Sequence, residues 1–169
     1  KVVESWGDID APVMARSAIK PIQAIPLLES GAADRFGLTD TQLSLACASH
    51  NAEPRHVAAV RDWLTRIGLS EADLECGAHA PTRLAMFERF LKEGAPLTPA
   101  FNNCSGKHTG FLTVARHLKI ATEGYERPDH PVQVLVRQAI ADLCGIDANA
   151  MTVGIDGCAA PNYAIPLTH

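Results

Sequence analysis

Arg16-Ser17-Ala18-Ile19-Lys20-Pro21 sets a hydroxyl and an amine three residues apart. On a helix that spacing puts both side chains on one face, so the Lys20 amine is expected to reach the Ser17 hydroxyl. Serine is a weak nucleophile until a base takes its proton, and a desolvated, neutral lysine is such a base. The pair therefore points to acyl transfer on an amide or ester. The alternative is a solvated helix start, with Ser17 as a cap and Lys20 directed at water.

A second concentration of reactive residues is Phe101-Asn102-Asn103-Cys104-Ser105-Gly106-Lys107-His108-Thr109-Gly110. A phosphate loop is excluded, because that motif needs Gly where Phe101 stands and Ser or Thr where His108 stands. Lys107 falls in the first turn of an expected helix, where the macrodipole disfavours an ammonium and leaves the amine available as a base or metal ligand. Cys104, three residues earlier, is favoured as a thiolate by the same helix end. Asp156-Gly157-Cys158-Ala159-Ala160-Pro161 puts another cysteine in a tight loop. Cys104, Lys107 and Cys158 could together make an open zinc site with soft ligands. Spacing alone leaves open the alternative of buried free thiols and a solvated lysine.

These residues need elements to hold them. Lys1-Val2-Val3-Glu4-Ser5-Trp6 reads as a strand, followed by a Gly7-Asp8 turn. A helix is expected from about Ser17 to Glu29, with Pro21 in its first turn, a kink at Pro26 and Gly31 as its stop. Thr39-Asp40-Thr41-Gln42 is a capping box opening a helix that ends near Ser49-His50-Asn51. Pro54 begins another, with Val57, Val60, Leu64 and Ile67 at helical spacing and Gly68 beyond. Ser70-Glu71-Ala72-Asp73 is a short capped turn, and Thr82 to Glu93 is an amphipathic helix ended by Gly94. Ser105 is expected to cap a helix from Gly106 to about Leu118. Pro131 opens one that runs to Leu143, with Gly145 as its stop. Met151 to Ile155 reads as a short strand.

Composition narrows the function classes. With 47% hydrophobic and 20% charged residues the chain can bury a core. The net charge is -4 and the 15 Lys and Arg are scattered, which argues against a nucleic-acid-binding face. No apolar run approaches a membrane span. Five cysteines without regular spacing argue against a disulfide scaffold and favour a reducing cytoplasm. Cys47 and Cys144 fall in apolar helical patterns and read as small core residues. The start at Lys1 and the apolar run at Pro166-Leu167-Thr168-His169 suggest one incomplete domain over 1–169, part of a longer polypeptide.

Several segments together resemble one family. Arg16-Ser17-Ala18-Ile19-Lys20-Pro21, Leu28-Glu29-Ser30-Gly31-Ala32-Ala33, Ala46-Cys47-Ala48-Ser49-His50, Asn102-Asn103-Cys104-Ser105-Gly106-Lys107-His108 and Asp156-Gly157-Cys158-Ala159-Ala160-Pro161 are similar to rhizobial-type L-asparaginases. The resemblance implies an α+β fold of the serine β-lactamase/glutaminase kind, with a mostly helical region on an antiparallel sheet. It implies hydrolysis of L-asparagine to L-aspartate and ammonia by a homodimer.

Position by position, the resemblance makes Ser17, Lys20 and Ser49 catalytic, and makes Cys104, Lys107 and Cys158 zinc ligands whose fourth position is water. Asp156 and His108 are placed near the metal, and Arg16 is a candidate for attracting the α-carboxylate. The family's second lysine, partner of Ser49, is expected beyond His169, so the isolated piece is expected to be nearly inactive. Glutaminase activity, a penicillin-recognising hydrolase and a non-catalytic zinc-binding domain are the rival readings.

Overall fold

The computed structural model describes residues 2–169. Its order is β1 (Val13–Met14), a 3-10 turn (Arg16–Ile19), α1 (Lys20–Gln23), α2 (Ile25–Glu29), α3 (Ala32–Arg35), α4 (Asp40–Cys47) and α5 (Pro54–Arg66). A short turn at Glu71–Asp73 follows, then α6 (Leu84–Glu93), a turn at Pro99–Phe101, α7 (Ser105–Leu118), α8 (Pro131–Cys144), β2 (Val153–Ile155) and β3 (Pro161–Ile165). The class is α+β, with helices around a small antiparallel sheet of order β1-β3-β2.

Helix α7 is the axis of the core. It is buried continuously from Ser105 to Ala115 and packs against α2, α3, α4, α5 and α8. A helix surrounded on all sides has to hide its polar groups. Thr109 and Thr113 do so by donating their hydroxyls to the carbonyls of Ser105 and Thr109, at 2.8 and 2.7 Å. Small residues let the neighbours close in. A Cβ on Gly106 would sit 2.6 Å from Leu45 Cγ and press on the Leu45 carbonyl oxygen. Gly110 faces Ala46, Leu27 and Trp63 at 3.7–3.8 Å. Trp63, Leu64, Val60, Leu112, Val136 and Ile140 fill the surrounding core with no exposed surface.

Three expectations need correction. Residues 2–6 form no strand and lie exposed, while Lys1 lies outside the described residues. No strand pairs with them: the sheet is made by Val13–Met14 and Val153–Ile155 on either side of β3, and residues 2–6 join neither outer edge. The helix expected over 17–29 is broken into a 3-10 turn and two short helices meeting at Ala24. Pro21 and Pro26 lack the N–H that a continuous ladder needs, and each ring crowds the carbonyl four residues back. The Ser17 carbonyl is instead taken by the Lys20 N–H, which tightens the turn between them. Ser105 does not cap α7. Cys104 occupies the N-cap and Ser105 is the first helical residue.

The capping box at Thr39, the Pro54 and Pro131 helix starts and the left-handed stops at Gly94 and Gly145 all form as expected. Strand β3 goes beyond expectation. Its Pro161 and Asn162 disguise a segment whose first three residues are buried.

The tightness of the α4–α7 contact gives a direct test. Gly106→Ala should destabilise the protein by about 2–3 kcal/mol through overpacking against Leu45. Chemical denaturation would register it, and an unchanged midpoint would contradict so close an approach.

Candidate active site

Three loops and one turn converge on a cavity of about 220 Å3. Arg16 and Ser17 come from the 3-10 turn, Asn102, Asn103 and Cys104 from the approach to α7, and Asp156, Gly157 and Cys158 from the β2–β3 hairpin. His79, from the loop before α6, completes the wall. The volume lies below the ~300–1,000 Å3 of pockets for drug-sized ligands and suits a smaller molecule.

Lys20 lies behind Ser17 and is only 1% exposed. Its Nζ donates to the Ala48 carbonyl and to Ser49 Oγ, both at 2.7 Å. Ser49 Oγ in turn donates to Ser17 Oγ at 3.2 Å. The amine and hydroxyl expected to bond directly are therefore bridged by the second serine. Lys20 is drawn inward while Ser17 stays exposed, and the extended Ala48 after α4 brings Ser49 between them. Burial lowers the Lys20 pKa below its ordinary 10.5, and the neighbouring Cys104 opposes the shift.

Cys104, Lys107 and Cys158 do converge. Each is buried, and Lys107 Nζ donates to Cys158 Sγ at 3.4 Å. The closeness of the two thiols pushes Cys104 up and Cys158 down, so Cys158 is the more acidic of the pair. His108 and Lys107 add to the fall at Cys158. Among the described residues no group of three or more His, Cys, Asp or Glu is placed to hold a metal ion. A metal here would take two thiolates and an amine, a set that mixes in a rarer ligand type.

His108 has no exposed surface, and its Nδ1 meets the Tyr125 hydroxyl at 2.8 Å. Among the described residues its Nε2 finds no hydrogen-bond partner. Burial lowers its pKa, while the proximity of Cys158 works against that. Asp156 is at the cavity rim, 3.0 Å from the Arg16 guanidinium. Arg16, a candidate for meeting a carboxylate, thus already carries a carboxylate of the protein.

Arg16 also has a positive φ of 51°, in the left-handed region that L-residues disfavour. Its N–H donates to the buried Asn162 Oδ1 at 3.1 Å. The hairpin bearing Cys158 thereby holds both ends of the residue preceding Ser17. Ala159, next to Cys158, is left-handed as well, with φ of 68°. Unfavourable backbone on both sides of the cavity is a pattern common at functional sites.

Several supporting residues had no assigned role in the sequence reading. Buried Asn102 donates to the Cys76 and Gly77 carbonyls at 2.7 and 3.1 Å and accepts the Cys104 N–H at 2.8 Å. His79 pairs through Nδ1 with the Ala80 carbonyl at 2.8 Å, and its Nε2 accepts the Asn103 N–H at 3.1 Å. His79 stands 24 residues from Asn103, so no local spacing announces the pairing. The only local signal is a histidine in a turn between Gly77 and Pro81.

The L-asparaginase II family model matches residues 1–169, and the chain belongs to that family. No curated protein matches the sequence. Family membership points to an amidohydrolase with an amino-acid substrate.

His50 gives the site a measurable acid sensitivity. Burial, with His56, Lys20 and His79 nearby, lowers its pKa from 6.5 to about 4. Between those values the unfolded chain binds a proton that the folded one refuses, so stability falls as pH drops from 6.5 towards 4. The loss from this group should be on the order of 3 kcal/mol. Urea unfolding at a series of pH values should show it, and His50→Gln should flatten that part of the curve.

Proposed function

We propose that the protein hydrolyses the side-chain amide of L-asparagine to L-aspartate and ammonia, with Ser17 as nucleophile, Ser49 as relay and Lys20 as base. The observation that carries this reading is the chain Lys20–Ser49–Ser17, at 2.7 and 3.2 Å, with Ser17 alone of the three lining the cavity. A neutral Lys20 has one lone pair. It can keep its bond to the Ala48 carbonyl while accepting the Ser49 proton, and rotation of the two hydroxyls then lets Ser49 accept from Ser17.

The lowered Lys20 pKa raises the share of the neutral form near neutral pH. Ser17 Oγ then attacks the amide carbon as its proton passes through Ser49 to Lys20. The proton returns to the leaving nitrogen, the C–N bond breaks and ammonia departs. Water, deprotonated by the same relay, attacks the acyl-serine ester, and aspartate leaves as Ser17 regains its proton.

Zinc belongs to the proposal. Two thiols and an amine suit a borderline-soft cation, and the thiols of Cys104 and Cys158 border the cavity. Held by Cys104, Lys107 and Cys158, zinc would orient substrate and stabilise developing negative charge. Asp156 would tether Arg16 at the rim, leaving the outer face of the guanidinium for an α-carboxylate.

The finer parts of the reading rest on resemblance: the rhizobial type, a serine β-lactamase/glutaminase kinship of the fold, a homodimer and a cytoplasmic location. The activity is assigned to the complete polypeptide.

Ser17→Ala should reduce ammonia release from asparagine by at least about 10³-fold, and Ser49→Ala by about 10²-fold, since it leaves Ser17 without a relay. Near-normal turnover by Ser17→Ala would sink the assignment. Because the base must be neutral, kcat/KM should climb with pH through the Lys20 pKa and be lost below it. Lys20→Met should abolish that limb. Ammonia release from glutamine and cleavage of a β-lactam, measured alongside, separate asparagine hydrolysis from its rivals.

A further inference from the structure

His50 follows Ser49, yet the bonded chain Lys20–Ser49–Ser17 does not include it. The residue is 5% exposed and both of its ring nitrogens are engaged. Ser105 Oγ donates to the Ala100 carbonyl at 3.1 Å, so towards His50 it acts as an acceptor. His50 Nε2 must then carry the proton it gives to Ser105, at 2.8 Å. Nδ1 is left to accept the Ala52 N–H at 3.1 Å, closing a turn in which Ala52 is left-handed with φ of 53°. The His50 N–H reaches across to the Asn103 carbonyl at 3.2 Å.

One side chain thus performs two separable tasks. Nδ1 shapes the turn locally. Nε2–H bolts that turn to the first residue of α7, within the segment that carries Cys104 and Lys107. Ser49 itself is exposed and follows the end of α4, so its hydroxyl position depends on how residues 48–52 are held.

We propose that His50 is a positioning residue: through its Nε2–H bond to Ser105 it fixes the Ser49 hydroxyl against Lys20 and Ser17. It makes the register of the serine–lysine cluster depend on the start of α7. The role presupposes the acyl-transfer function of Ser17, Ser49 and Lys20. It adds a residue that touches neither substrate nor the reacting atoms.

The two tasks can be separated with amides. The Gln side-chain nitrogen overlays the histidine Nε2 and keeps the bolt to Ser105. The Asn side-chain oxygen overlays Nδ1 and keeps only the local turn. In the complete chain, His50→Asn should lower kcat by about 30-fold with KM within about twofold, the scale expected when a reacting group is misplaced by a fraction of an ångström to an ångström. His50→Gln should stay within about threefold of the parent, a rescue that simple loss of packing would not give. Crystal structures of the two variants should show Ser49 Oγ displaced from Lys20 Nζ in the Asn form and in place in the Gln form.

Should His50→Asn fail to fold, Ser105→Ala removes the other end of the same bond and carries the same expectations. An unmoved Ser49 with full kcat in the bolt-less variant overturns the role, as does equal loss of kcat in His50→Asn and His50→Gln. A parent protein that releases no ammonia from asparagine would refute the proposed activity, while the position of Ser49 in the variants would still decide the role of His50.

Discussion

An amine with 1% of its residue exposed is the constraint around which the site is built. Burying an ammonium is expensive, and the fold meets the expense in two ways. It supplies Lys20 with the Ala48 carbonyl and the Ser49 hydroxyl as close partners. It also pushes the group towards neutrality by desolvation. Neither would be achieved by a lysine on an ordinary helix surface. The turn from Arg16 to Ile19, tightened before Pro21, directs Lys20 inwards, and α4 and α8 close over it. The dependence runs outward from there: Ser49 is in place because α4 ends where it does, and Ser17 because Arg16 is held by the β2–β3 hairpin.

Segments distant in the chain are brought together by the small residues of α7. With Gly106 against Leu45, the end of α4 and the start of α7 come close enough for Asn103 to accept from His50. Lys107 and Cys104 then lie beside the serine–lysine cluster, and Lys20 feels the charges of Cys104, Lys107 and Cys158. The serine–lysine cluster and the candidate metal ligands belong to one electrostatic unit. A charge added to either half shifts the titration of the other, which is why their chemistry has to be considered jointly.

Much of the frame is legible in the sequence because it is governed by local rules. Thr39 with Gln42, Pro54, Pro131, Gly94 and Gly145 mark helix limits by backbone chemistry that acts within a few residues. The candidate site residues are also recognisable by type, and the fold brings Ser17, Lys20, Ser49, Cys104, Lys107, Cys158 and Asp156 together. Their connectivity was not recognisable. Nothing in the three-residue spacing of Ser17 and Lys20 reveals that Ser49 stands between them, because that depends on where α4 ends in space. His79 with Asn103, His50 with Ser105 and Arg16 with Asn162 likewise join residues separated by 24, 55 and 146 positions. The strand expected at residues 2–6 fails for the same reason: a strand needs a partner beside it, and which segments meet is a non-local condition.

Helix α6 differs from the other long helices in burying none of its residues, with Leu84 and Leu91 left largely in solvent. Its attachment to the body includes an edge-to-face contact of Phe90 with Phe101 at 5.3 Å, and Phe101 directly precedes Asn102. A helix with so little apolar anchoring opens at a small fraction of the global unfolding free energy. The protein therefore combines a deeply packed axis along α7 with a helix whose apolar side chains are mostly left to solvent. The seam between them passes through the loop that organises Cys104. α6 meets the cavity wall at two places: through the Phe90 ring on Phe101, next to Asn102, and through the short segment that joins it to His79.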